Sequence, residues 1–499
     1  MKKPVVEPLV SSEFSFIGRK PELQRFQQLK VKNKASLVIV RGRRRIGKSR
    51  FIEEAAKKDL FFKFAGLAPD EKVTAEDQRK NFAFALIKHF QVPLPDSSDW
   101  NHLFFNLTHC ISQNLAENTA GKKNKKIIIL LDEISWMAQD DPTFLPKLKN
   151  SWDDDLSKIP GLILVLCGSV SSWIEKNILS STGFLGRIHE TLCLEELSLE
   201  ESLLLLSQQG FEGSSFEKLM VLSVTGGVPW YLEQFIKGLN ASAHLRHLCF
   251  SSGGLFVLEF ERLFHDLFGK RAQLYATLVQ ALINGPKTYQ GLSEETGYPS
   301  SGALSEYLDD LVISGFLRKE NSWAIQTGVE KSIVQYRLKD NYLRFYFKLI
   351  RPQLNAIKNN RMTNQVILDL KGFSTFLGFQ FENIVLNNRS LIFKALGLKP
   401  EEILMDNPFL QRATKIQEGC QIDWLIQTRT QALYVCEMKV TRSSISSSVM
   451  TEVKEKIRKL KTPKGVSCMA VLIHFGEIPE LIKDEGYFYQ CINFEDYFY

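Results

Sequence analysis

The sequence predicts an α/β chain: a central parallel sheet, a helical middle and a second, smaller α/β unit at the C-terminal end. Three observations carry this. Apolar runs of strand length at 36–40, 127–131 and 162–167 lead into glycine-bounded or acidic segments, as strands of a parallel sheet buried on both faces do. From Glu196 to Leu239 the pattern is helical and leucine-rich. Near the C-terminal end, a helical stretch at 379–385 precedes two strand-like runs, Gln421–Ile426 and Leu433–Val440.

Bulk composition bounds the reading. A chain of 499 residues accommodates two to four domains at roughly 100–200 residues each. Hydrophobic content of 44% with 24% charged residues is ordinary for a globular protein, and thirty-five Phe favour aromatic-packed layers over disorder. The net charge of +7 permits nucleic acid or an acidic partner without requiring either. Eight scattered cysteines without C-x-x-C spacing argue against a zinc site or disulfide framework. Met1-Lys2-Lys3-Pro4 opens no secretory apolar segment, and no run approaches a membrane span. A reducing cytoplasm without membrane contact is the expectation.

The most specific stretch is Arg41 to Arg50. Gly42-Arg43-Arg44-Arg45-Ile46-Gly47-Lys48-Ser49 fits G-x-x-x-x-G-K-[ST], between an apolar strand and a helix. Glycines let backbone N–H groups close around an anion, and the following helix aims its positive end at it. Lys48 can reach the β- and γ-phosphates, and Ser49 can ligate Mg²⁺. Arg50 continues this phosphate-binding loop, so ATP with Mg²⁺ is the expected cofactor. Ile127–Leu131 then runs into Asp132-Glu133, at the carboxyl end of a central strand, where ligands bind in open α/β sheets. There Asp132 can hold the Mg²⁺ shell and Glu133 can deprotonate the attacking water; an acidic helix cap is the alternative. Lys122–Lys126 reads as a solvated basic loop.

Thr288 to Glu320 reads as a helix-turn-helix, with helices at 290–296 and 302–314 and wing strands at Trp323–Ile325 and Tyr336–Leu338. From Ser300 to Phe316 there is no Lys or Arg, while Glu306, Asp309 and Asp310 are expected outward. A major-groove reader needs cationic or amide side chains there, so a structural or protein-contacting winged helix is favoured over a DNA reader.

In the last part, Asp423 and Glu437 lie on strands joined by a short turn, with Lys439 on the same face as Glu437. Two carboxylates can bind a divalent metal, Lys439 can orient or deprotonate water, and Glu382 can complete the shell. This D…E-x-K arrangement also fits a salt-bridged strand pair.

Taken in order, Phe16–Leu23, Gly42–Ser49, Ile127–Glu133, Gly226-Gly227-Val228-Pro229, Asp340–Phe347, Phe381-Glu382, Ile422-Asp423 and Glu437–Lys439 resemble the archaeal-type P-loop (AAA+/STAND-like) ATPases fused to a restriction-endonuclease-like C-terminal domain. The resemblance implies an α/β P-loop NTPase with a central parallel sheet, helical lid and winged helix, followed by an α/β restriction-endonuclease-like domain. It implies a nucleotide-base contact at Gly18 and Arg19, a γ-phosphate-sensing role for Ser169, which is otherwise a strand-end serine, and a charge-neutralising Arg187, in cis or in trans, which is otherwise a surface arginine. Expected boundaries are 1–195 for the ATPase core, 196–270 for the lid, 271–350 for the winged helix, 351–375 for a helical linker and 376–499 for the nuclease-like domain. Three functions follow: an ATPase whose cycle controls the winged helix and nuclease-like domain; an ATP-gated, metal-dependent DNA nuclease; and a slow nucleotide switch that scaffolds a protein partner or a homo-oligomer.

Overall fold

The computed structural model describes residues 15–68, 72–118, 125–169, 171–415 and 417–499. Met1–Pro4 and residues 122–124 of the basic loop lie outside them.

The first sheet has the order β2-β3-β4-β1-β5, every neighbouring pair parallel. Its strands are β1 (Ser36–Arg41), β2 (Leu60–Ala65), β3 (Ile127–Asp132), β4 (Leu162–Gly168) and β5 (Ile188–Cys193). The apolar runs become strands because each can bury both faces. Leu37 and Ile39 face Phe82, Trp100 and Phe104 of the helices Ala75–Phe90 and Trp100–Asn118. Val38 and Val40 face Phe26 and Phe51 of the helices Lys20–Val31 and Lys48–Ala56. The edge strand β5 escaped the sequence reading: Ile188-His189-Glu190-Thr191-Leu192-Cys193 is largely half-buried, and such a strand needs no continuous apolar run. Arg41, Asp132 and Gly168 end β1, β3 and β4, so the loops that follow them meet at one edge.

Helices from Leu199 to Ala281 cover this edge. The break at Gly226-Gly227 follows from close approach: a Cβ on Gly227 would lie 2.2 Å from the Leu197 carbonyl oxygen. Pro229 then starts the next helix, where its missing N–H costs nothing. Beyond, the helices Tyr289–Thr296 and Gly302–Ile313 agree with the expected pair within a residue. They pack with a three-stranded antiparallel sheet, β6 (Lys287–Thr288), β8 (Val329–Leu338) and β7 (Leu317–Ala324), whose hairpin strands are longer than expected. Asp310 does not face outward. It is buried, accepts a 2.7 Å hydrogen bond from the Tyr275 hydroxyl and pairs with Lys176 at 3.3 Å, whereas Glu306 and Asp309 are exposed.

The C-terminal sheet is mixed, in the order β13-β12-β11-β10-β9: β9 (Ile403–Gln411), β10 (Cys420–Thr428) and β11 (Ala432–Ser444) run antiparallel, and β12 (Ser467–Glu477) and β13 (Gln490–Asn493) continue parallel. The helix Phe373–Asn387 packs on both β11 and the helix Ser215–Thr225, so one apolar core runs from Leu197 to Phe498. The expected linker contributes Ile357, Met362, Ile367 and Leu370 to that core and is packed structure rather than a tether. No helix among the described residues is long and apolar enough to cross a membrane.

Candidate functional sites

The loop 42–49 connects β1 to the helix Lys48–Ala56. Gly42 has φ 154° and an added Cβ would meet the Leu194 carbonyl oxygen at 2.5 Å; Gly47, at φ 85°, caps the helix. Lys48 is buried and its ammonium donates to the Gly42 and Arg43 carbonyls, at 3.0 Å each. It curls over the concavity that the loop's amides enclose, which is where an anion is cradled. The Ser49 hydroxyl donates to Asp132 Oδ2 at 2.7 Å. Two hard oxygen donors side by side fit Mg²⁺. Lys63 also touches Asp132, at 3.1 Å; burial works against its charge, but the carboxylate prevails and raises its pKa. Glu133, with φ 52°, turns its carboxylate to the end of β4, where it accepts from the Ser169 amide at 3.0 Å and from the Ser169 hydroxyl.

Gly18 (φ 78°) and Arg19 (φ 61°) lie beside this loop. Arg19 donates from its guanidinium to the Ile46 carbonyl at 3.3 Å and from its amide to Glu201 at 3.0 Å. Phe16, Ile17, Arg19, Ile46, Leu205 and Pro229 line a cleft next to Gly47.

The loop arginines behave differently from the sequence expectation of phosphate contacts. Their side chains turn outward to carboxylates: Arg43 to Asp340 (2.6 Å) and Glu196 (3.4 Å), Arg44 to Asp266 (2.7 Å), Arg45 to Glu259 (3.0 and 3.1 Å) and Arg50 to Glu233. Arg45 also stacks 3.7 Å over the Trp230 ring. Only the backbone of these residues, with Ile46, is left for the phosphates. Arg187 is displaced as well. It precedes Ile188, which pairs with Leu37 at the start of β1, whereas the phosphate loop follows Arg41 at the other end. Four residues of strand separate them by about 13 Å, and Arg187 forms a two-pronged pair with Asp153 at 2.7 and 2.8 Å. Its guanidinium thus faces Asp153 and not the phosphate loop.

In the C-terminal sheet the β10–β11 register sets Trp424 opposite Cys436, and hence Asp423 opposite Glu437. Lys439 lies 3.0 Å from both Glu437 and Glu452. Glu382, on the helix Phe373–Asn387, approaches the same carboxylates; burial, then the neighbouring Asp423 charge, pushes it up to about 7. Lys456, on the helix Ser448–Lys459, escaped the sequence reading. Its ammonium reaches Asp423 at 3.1 Å and Glu437 at 2.5 Å. It supplies the positive charge that a cation would, so the expected ligand set Glu382, Asp423 and Glu437 does not fit a metal as arranged. Among the described residues no group of three or more Asp, Glu, His or Cys is placed to hold one. A lysine in an amphipathic helix carries no sequence signal that would mark it out.

Residues 16–235 match the family described as an ATPase domain predominantly from Archaea. This segment is an ATPase domain. An uncharacterized protein of Methanocaldococcus jannaschii is 22% identical over 383 residues, covering 74% of this chain and 76% of its own. Among solved structures, a Walker-type ATPase of Pyrococcus abyssi is similar with a TM-score of 0.48 and 14% identity, over 67% of this chain and 96% of that one. The ORC2 protein of Aeropyrum pernix, in ADPNP–ADP complexes, has a TM-score of 0.42 and 12% identity, over 71% of this chain and 98% of that one.

The arginines thus tie the ATPase domain's phosphate loop to the rest of the chain. Glu259 and Asp266 lie on the helix Leu255–Phe268, and Asp340 follows β8 directly. Both Arg43 and Asp340 are buried. Burial works against the Arg43 charge, but Asp340, assisted by Glu196, overcomes it and raises the guanidinium's pKa.

Proposed function

We propose that the chain hydrolyses ATP by in-line attack of water on the γ-phosphate and that its nucleotide state is passed to a winged helix and a nuclease-like C-terminal unit. The buried Arg43–Asp340 pair carries this reading, because it joins the phosphate loop to the end of the hairpin strand β8. Phe16, Ile17 and Pro229 seat the base, with Gly18 and Arg19 shaping the cleft from the side. Amides of residues 42–49 and the Lys48 ammonium hold the β- and γ-phosphates, with Lys48 exchanging its two carbonyl partners for phosphate oxygens. Ser49 and Asp132 hold Mg²⁺, which neutralises phosphate charge when bound. Glu133 orients the attacking water and accepts its proton, and Ser169 holds that carboxylate. Arg187, held by Asp153 at the opposite end of β5, is the candidate to neutralise charge at a neighbouring copy's site. Phosphate release measured on Glu133→Gln tests the assignment: turnover should fall by about 10²–10³ while nucleotide binding persists, and rapid hydrolysis would refute it.

A second reading, an ATP-gated nuclease acting on DNA, is supported by Asp423 facing Glu437 across β10 and β11 with Lys439 alongside. Lys456 stands against it, since it already neutralises both carboxylates. Incubation of plasmid and single-stranded DNA with Mg²⁺ or Mn²⁺, compared with Lys439→Ala, decides between them.

A further inference from the structure

The hairpin β7–β8 is clamped against the C-terminal sheet. Trp323 Nε1 donates to Gln427 Oε1 at 2.5 Å, Gln427 Nε2 donates back to the Ile325 carbonyl at 2.7 Å, and Ser322 Oγ bonds both ways with the Leu410 backbone. These bonds fix a cleft of about 820 Å³ between the hairpin tip, the ends of β9 and β10, and the turn after the helix Ser448–Lys459. Its lining contains four cations, Lys331, Arg429, Lys461 and Lys464, and no carboxylate. All four are exposed, and none forms an ion pair among the described residues. Arg429 spends only its Nε, on the Glu401 backbone carbonyl. Between the cations stand uncharged hydrogen-bonding side chains, Gln326, Thr327, Gln417 and Gln431 among them. Glu418, on the adjoining turn, is already held by Arg458 at 2.9 and 3.0 Å.

The arginines of the phosphate loop, by contrast, are each held by a carboxylate. Four unpaired cations converging on a fixed, acid-free cleft lack an internal partner. We infer that the cleft between the hairpin and the C-terminal sheet binds the phosphate backbone of a nucleic-acid strand. The two aromatic rings in the lining, Trp323 and Phe409, are buried and cannot stack on bases, so contacts go to phosphates and do not read sequence. The helix Gly302–Ile313 cannot take this role, since its exposed charges are Glu306 and Asp309. The hairpin side of the same unit, not its helix, is the cationic face. Lys461 follows closely on the helix Ser448–Lys459 that carries Lys456, so the cleft adjoins the element that reaches the Asp423–Glu437 cluster. Binding here requires neither ATP turnover nor strand cleavage, and its test separates from both.

The test is fluorescence anisotropy of the full chain with a labelled single strand and with the blunt duplex of the same sequence, between ~50 and ~200 mM salt. Four phosphate contacts predict a log–log salt slope near −2.8 on the single strand and near −3.6 on the duplex. Lys461→Glu with Lys464→Glu should weaken binding at least tenfold and flatten the single-strand slope by about 1.4, with ATP hydrolysis and the melting temperature unchanged. Lys20→Glu with Lys34→Glu, exposed cations on the ATPase domain, should leave affinity within about twofold at ~100 mM salt, where exposed charges beyond a Debye length are screened. Three results would overturn the inference: no binding of either oligonucleotide at the lowest salt, equal losses in both double variants, or poly-glutamate binding as tightly with the same dependence on Lys461 and Lys464. The last would make the cleft a site for acidic proteins. Preference between single strand and duplex identifies the form of nucleic acid taken.

Discussion

Ser169 Oγ lies 2.7 Å from Glu133 Oε2, and the Ser169 amide donates to the same oxygen at 3.0 Å. Two residues at the ends of adjacent parallel strands thus act as one unit, in which a serine holds the carboxylate proposed as base. Ser169→Ala removes the hydroxyl but keeps the amide bond. The carboxylate then swings more freely, and kcat for ATP should drop about tenfold with little change in KM. Ser169→Ala added to Glu133→Gln should cause little further loss, because the serine acts through that carboxylate. Steady-state phosphate release on the single and double variants checks this.

Asp340 is a point where stability and coupling meet. It pairs with Arg43 and caps the helix Asn341–Phe345 through the Leu343 amide at 2.8 Å. Asp340→Ala leaves a buried guanidinium with only Glu196, at 3.4 Å, and should cost about 3–5 kcal/mol. Combining Asp340→Asn with Arg43→Met removes both charges and keeps a capping oxygen, so most of that loss should be recovered. Urea denaturation midpoints of the three proteins report it.

The two loop glycines should fail for different reasons. Gly42→Ala meets the Leu194 carbonyl oxygen at 2.5 Å, so the loop backbone must shift. Gly47→Ala has open space but a φ of 85°, which costs a side-chain residue about 1–2 kcal/mol. ATP affinity should therefore fall well over tenfold for Gly42→Ala and about tenfold for Gly47→Ala, measured by titration with a fluorescent ATP analogue.

His244 is fully enclosed in the helical region, and burial holds its imidazole down to about 4. Its folded pKa lies below the unfolded 6.5, so the neutral form stabilises the fold above pH 6.5. That stability is lost as pH falls toward 4, by on the order of 2–3 kcal/mol. His244→Gln, which does not titrate, should show a flatter fall in urea midpoint between about pH 7 and pH 4.5.

How much was legible follows the locality of each signal. Strands β1, β3 and β4 and the loop 42–49 are readable because a strand buried on both faces must be continuously apolar and a phosphate cradle needs glycine at fixed spacing. Asp132 and Glu133 are readable because they end such a strand. β5 was not, because an edge strand tolerates His189 and Glu190. The outward turn of Arg43, Arg44 and Arg45 was not either, since their partners lie from 153 to 297 residues away along the chain.

By itself, then, the sequence determined the nucleotide site: its residue types, their spacing and their place at a strand end are local requirements of phosphate chemistry. Tertiary structure alone decided what surrounds it. It withdrew Arg187 to the far end of the sheet and buried Asp310. It packed the stretch 351–375 into a core shared from Leu197 to Phe498. It set Lys456 between Asp423 and Glu437 and left Lys331, Arg429, Lys461 and Lys464 unpaired around one cleft. Electrostatic pairing depends on distance in space, and a charge shows in the sequence without its partner.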